Sequence, residues 1–188
     1  MASVKSVFVA ISLAASMLVA AGAAGGATLI IGGGAAKDCS VAALSGRSDV
    51  SSINTCNLAL DTESLSFRDR ARTFVNRGVL QMRRHDFDAA VSDFDAASQL
   101  DPQMGEAFVN RGAVYIGTQR YGEGLSQIDQ GLALGVKDPE KAFYNRGIAH
   151  ENLGDVTAAY RDYTKASELD PDWAAPKQEL TRFTVKRP

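Results

Sequence analysis

The string Phe-Val-Asn-Arg-Gly stands at residues 74–78 and again at 108–112, and Phe-Tyr-Asn-Arg-Gly follows at 143–147. Gly78, Gly112 and Gly147 therefore succeed one another at steps of 34 and 35 residues. A period in this range marks one supersecondary unit copied in tandem. Such a unit cannot bury its apolar face alone, so the chain must stack neighbour on neighbour instead of closing into one globule. A stack presents an extended surface to a partner. It does not by itself converge side chains into a catalytic pocket.

Aligned on these glycines, the units run over 71–104, 105–139 and 140–173. Each has an aromatic four residues before the glycine: Phe74, Phe108 and Phe143. Each has a second-helix anchor, Phe94, Ile128 or Tyr163, with small residues on both sides of it: Ala90 and Ala97, Gly124 and Gly131, Ala159 and Ala166. Apolar residues spaced i, i+3, i+4, i+7 mark both segments of each unit as amphipathic helices. Small residues where two helices cross let the backbones approach, and Pro102 and Pro171 stop the second helices.

These residues resemble the tetratricopeptide repeat family over about 71–173, in the form that carries Asn-Arg-Gly in bacteria. Departures are visible. Gln81 and His150 stand where Tyr115 keeps the usual tyrosine, and His85 and Gln119 stand at the hairpin turn that keeps glycine only at Gly154. The middle unit has glycine at both small second-helix positions. Because glycine costs about 1 kcal/mol against alanine inside a helix, this unit is predicted to be the softest.

The resemblance implies an all-α fold, a right-handed solenoid of helix–turn–helix repeats with terminal caps. It also implies a concave groove lined by first helices. The groove-facing positions would be Arg72, Val75, Asn76, Val79 and Arg83 in the first unit. Glu106, Val109, Asn110, Ala113 and Ile116 would follow in the second, and Lys141, Tyr144, Asn145, Ile148 and Asn152 in the third. Asparagine offers both a donor and an acceptor, so a row of Asn76, Asn110 and Asn145 is suited to the main chain of an extended peptide. The same row is equally suited to bracing the stack. Some family members clamp a terminal carboxylate with Lys and Asn; Asn110 and Lys141 match that pattern, but Val75, Val79 and Asn145 do not, so the activity is not expected. Arg77, Arg111 and Arg146 read either as an anion-binding row or as ion-pair partners of second-helix aspartates such as Asp93, Asp95, Asp129 and Asp162.

The N-terminus obeys different rules. After Lys5 no charge appears until Lys37, and residues 7–20 are apolar, followed by an Ala-x-Ala step at 21–23. This is the pattern of a secretory signal cleaved after Ala23. A rival reading is an uncleaved anchor, since residues 7–31 are long enough to cross a bilayer. Residues 24–38 read as a Gly/Ala-rich linker, 39–62 as a degenerate partial repeat with helices over 40–44 and 50–60, and 65–70 as a connector. Residues 174–188 read as a capping helix and tail, the helix covering 172–185.

Cys39 and Cys56 are an even pair in a chain read as exported, which points to one bridge. If the two short helices pair antiparallel, the cysteines meet; two buried free thiols are the alternative. A net charge of −2 leaves no basic footprint for nucleic acid. No phosphate loop, metal signature or Ser/His/Asp arrangement occurs; His85 falls at a turn and His150 on a first helix with no nucleophile beside it. No cofactor, metal or small-molecule substrate is implied. The sequence therefore predicts a non-catalytic module, periplasmic or secreted, that binds a protein or peptide in its groove. A membrane-anchored structural component, acting by self-association or through its convex face, is the alternative.

Overall fold

The computed structural model describes residues 8–11, 26–30 and 34–186. Its helices follow in antiparallel pairs: α1 (Ala35–Leu44) with α2 (Val50–Thr62), α3 (Phe67–Arg83) with α4 (Phe87–Leu100), α5 (Gly105–Gly117) with α6 (Tyr121–Leu134), and α7 (Pro139–Asn152) with α8 (Val156–Leu169). A shorter α9 (Ala174–Leu180) closes the row. Among the described residues the only strands are β1 (Phe8–Ile11) and β2 (Phe183–Lys186), which pair antiparallel with Phe8 opposite Lys186 and Ile11 opposite Phe183. The architecture is the all-α helical-repeat stack that the resemblance implies.

Local chemistry sets the helix ends. Asp49 caps α2 by accepting from the Ser52 N–H at 2.9 Å, and Ser66 caps α3 by accepting from the Asp69 N–H at 3.1 Å. The N-terminus of α1 has no such residue. Instead the Glu63 carboxylate, arriving from the end of α2, accepts from the Ala35 and Ala36 N–H groups. A carboxylate suits this position because it meets the free N–H groups and the positive end of the helix dipole.

Each pair is held by its anchor. Phe94 and Tyr163 are buried, and their rings lie against Gly78 and Gly147, where a Cβ would come within 2.6 Å and 2.7 Å of the ring edge. Burying a side chain such as Phe94 contributes about 2–3 kcal/mol. The middle pair is built differently. Its anchor is the smaller Ile128, and the two backbones close the gap: a Cβ on Gly124 would lie 3.0 Å from the Gly112 carbonyl, and one on Gly131 would lie 2.8 Å from the Gly105 carbonyl. The glycines thus serve close helix–helix approach, a role that counts against simple softness.

The arginines after the signature asparagines are structural. Arg77 donates to Asp93 on α4 at 2.8 Å and 2.6 Å and to Asn57 on α2 at 2.8 Å. Arg111 donates to Gln127 on α6 and to Asp95 on α4. Arg146 donates to Asp162 on α8 at 2.7 Å and 2.8 Å and to Asp129 on α6 at 2.8 Å. Each guanidinium also lies over the aromatic three residues earlier, 5.1–5.4 Å from the rings of Phe74, Phe108 and Phe143. One arginine therefore ties its own second helix to the second helix before it. These are not groups left open for an anion.

Several boundaries differ from the sequence reading. Helix α1 begins at Ala35, so the end of the expected linker is helical. The expected connector 65–70 is largely the first turn of α3, because Ser66 and Asp69 form a reciprocal cap. The closing helix ends at Leu180, not at 185. Phe183 then leaves the helix to plug an aromatic cluster, with its ring 5.8 Å from Tyr160 and 5.9 Å from Tyr163. A disulfide joins Cys39 and Cys56, which are fully buried with Cα atoms 4.9 Å apart.

Candidate functional site

Helices α3, α5 and α7 carry the three signature asparagines two residues before the conserved-spacing glycines. All three side chains are fully buried. Burial makes their amides demanding, since a buried polar group without a partner costs about 1–3 kcal/mol.

Asn76 meets the demand with the main chain of another segment. The Thr28 N–H donates to Asn76 Oδ1 at 2.8 Å, and Asn76 Nδ2 donates to the Thr28 carbonyl at 2.9 Å. One amide side chain thus grips both polar groups of a single residue, as a neighbouring strand would. The Thr28 hydroxyl donates to the Arg72 carbonyl at 3.2 Å. From the other side, Ser40 Oγ donates to the Thr28 carbonyl at 2.8 Å and accepts from the Ile30 N–H at 3.2 Å. Ala27 and Ile30 are buried against the α1–α2 pair, with Leu80 of α3 beside Ala27, while Leu29 faces outward. Gly26 reaches the start of α7, where a Cβ would stand 2.5 Å from Asp138 Oδ2. Residues 26–30 are therefore not a free linker; they lie in the groove as an extended strip.

Beside this strip opens a pocket of about 330 Å³, lined by Arg68, Arg72, Asp101, Gln103, Met104, Glu106 and Lys137. Its charges are mixed: Arg68 faces Asp101 at 3.9 Å, and Glu106 accepts from the Lys137 N–H at 3.3 Å. Such a rim suits polar peptide side chains of either sign. Asn110, one unit along from Asn76, is buried with neither Nδ2 nor Oδ1 hydrogen-bonded.

Other expected groove residues fall elsewhere. Val75, Val79 and Ala113 lie in the core of the first two pairs, and Val109, Ile116 and Ile148 lie in the core of the last two. Each first helix is sandwiched between its own second helix and the preceding pair, so little of its apolar surface remains open. Arg83 turns away from the groove and donates to the Ala43 and Arg47 carbonyls at 2.7 Å and 3.3 Å, tying down the α1–α2 turn. Tyr144 is covered by Trp173, with ring centres 4.8 Å apart, and its hydroxyl faces Glu179. Burial and that carboxylate push the Tyr144 hydroxyl up to about 12. Lys141 pairs with Asp138 at 3.2 Å, and Asn152 folds back onto the Ile148 carbonyl. Asn145 is buried on α7. The accessible part of the groove is thus Arg72, Glu106 and Lys141 around the asparagine row. Thr28 and Ser40 were invisible to sequence reasoning: they act through main-chain atoms and two hydroxyls, across 48 and 12 residues.

His85 is exposed at its turn, and His150 stands 3.8 Å from Asp162 within the stack. Among the described residues no group of three His, Cys, Asp or Glu converges as metal ligands would, and no helix is long and apolar enough to cross a membrane.

Comparison with known proteins agrees with this geometry. Residues 140–172 match the tetratricopeptide repeat family. The DnaJ homolog subfamily C member 7 homolog of Schizosaccharomyces pombe is 32% identical over 115 residues, which is 59% of this chain and 24% of that protein. The chain therefore spans about a quarter of that curated relative. Among solved structures, a MamA double mutant superposes with a TM-score of 0.61 at 21% identity, covering 79% of this chain and 82% of the other. The first tetratricopeptide domain of Spaghetti (RPAP3), bound to an HSP90 peptide, superposes with a TM-score of 0.57 at 23% identity, covering 61% and 90%. At these identities the likeness is one of fold.

Proposed function

We propose that this chain is a non-catalytic interaction module that binds an extended segment of a partner protein in its concave groove. The observation that carries the reading is the two-point grip of Asn76 on the Thr28 main chain. A side chain that holds N–H and C=O together reads any main chain, so sequence preference must come from the pocket rim at Arg72, Glu106 and Lys137. The fold neighbour bound to an HSP90 peptide supports the same mode of use.

The chain works in a bacterial cell envelope. The apolar leader, the Ala-x-Ala step and the paired cysteines support this reading. Cleavage after Ala23 would remove β1 and leave residues 26–30 in place.

The test is affinity capture from an envelope fraction with wild type and with a folded Asn76, Asn110, Asn145→Ala variant. Captured partners should be lost from the variant. Retention of every partner by it would remove the groove from the mechanism.

A further inference from the structure

We propose that residues 26–30 are a resident competitor: an intramolecular peptide that fills the Asn76 end of the groove and that a partner's extended segment must displace. The proposal rests on the groove reading above and adds its regulation.

Four observations combine. The strip is held by main-chain bonds to Asn76, the same bonds any extended peptide would make. Its buried residues are Ala27 and Ile30, and Gly26 sits where a Cβ would meet the Asp138 carboxylate. Its outer face is open, with Leu29 about half exposed. Next along the row, the buried Asn110 amide lacks a partner at both ends. The ligand chemistry follows: an extended segment whose main chain spans both amides, with a Gly at the position that faces Asp138.

The strip is tethered a few residues from α1, so its effective concentration at Asn76 is on the order of millimolar. A peptide in trans at micromolar concentration competes poorly against that. Loosening the strip must therefore raise the apparent affinity for a free peptide.

The probe is a fluorescent synthetic peptide with the sequence of residues 25–31 and a solubilising lysine tail, titrated by anisotropy against the full chain. Thr28→Pro removes the N–H that Asn76 accepts. Ser40→Ala releases the strip from its opposite side and guards against a folding defect in the first variant. The expected result is probe binding at least about tenfold tighter to Thr28→Pro than to wild type, a smaller gain for Ser40→Ala, and loss when Asn76→Ala is added. On wild type, excess probe should also speed hydrogen exchange in 26–30. Equal affinity for wild type and both variants overturns the competition and leaves the groove standing. Absence of binding to all of them overturns the groove reading, and the competition with it.

Discussion

Gly131→Ala places a methyl group where two backbones nearly touch. A Cβ there would lie 2.5 Å from Val109 Cγ2, 2.8 Å from the Gly105 carbonyl and 3.0 Å from the Val109 N. In an open helix the change would stabilise by up to about 1 kcal/mol through helix propensity. Overpacking of a tight interface costs about 1–3 kcal/mol. Two of the three clashing atoms here are backbone and cannot rotate aside, so the upper part of that range applies. The net expectation is a loss of about 1–2 kcal/mol, a fall in Tm of roughly 2–8 °C for a domain of this size. Gly122→Ala is the internal control. It lies on the same helix with nothing within 4 Å of the added Cβ, so it should raise Tm by about 2–4 °C, on the same scaling. Thermal melts followed by circular dichroism at 222 nm, with the disulfide intact, give both numbers. If Gly131→Ala stabilises as much as Gly122→Ala, the α5 and α6 backbones are not held close, and their glycines are merely tolerated.

Other expectations come from single contacts. His85 and Gln119 hold φ at 64° and 63° at hairpin turns where Gly154 takes 87°; His85→Gly and Gln119→Gly should each stabilise by about 0.5–1 kcal/mol, because a left-handed conformation costs other L-residues about 1–2 kcal/mol, and denaturant titration reads the gain. Cleaving the Cys39–Cys56 bridge, which spans 17 residues, should cost about 3 kcal/mol, seen as a Tm drop on reduction; unreduced peptide maps recovering two alkylatable cysteines would refute the bridge. The Tyr144 hydroxyl is raised above the ordinary tyrosine range, to about 12, chiefly by burial. A raised folded value means that its stabilisation is complete below about pH 10 and is lost as pH climbs toward 12; Tyr144→Phe should flatten that alkaline loss in pH-dependent melts.

The repeats were legible because their code is redundant. Phe74, Phe108 and Phe143 mark one face, and the small residues around Phe94, Ile128 and Tyr163 mark the crossings, so three copies cross-check one another. The groove was legible only in part. The asparagines could be read, but sandwiching of the first helices took Val79, Ala113 and Ile148 into the cores. Arg83 and Tyr144 were claimed by neighbours at the two ends of the stack. The strip at 26–30 left no trace in the sequence because Gly, Ala and Thr hold it by main-chain atoms that every residue possesses. Phe183 misled for another reason: one aromatic beyond Leu180 satisfies a helical stripe and a strand equally well.

The arginine row bears on how the molecule comes apart. In a linear array, stability is a sum of unit terms and nearest-neighbour couplings, and here each coupling passes through one identifiable guanidinium. Arg77 and Arg146 grip carboxylates on their own second helices, whereas Arg111 meets the neutral Gln127 there. Reaching back to the preceding unit, however, Arg77 meets the neutral Asn57, whereas Arg111 and Arg146 meet Asp95 and Asp129, so added electrolyte weakens the two later couplings before the first. Salt therefore loosens the array from its C-terminal end, and the coupling that outlasts it is the one at the disulfide-tied end, where Arg77 meets Asn57.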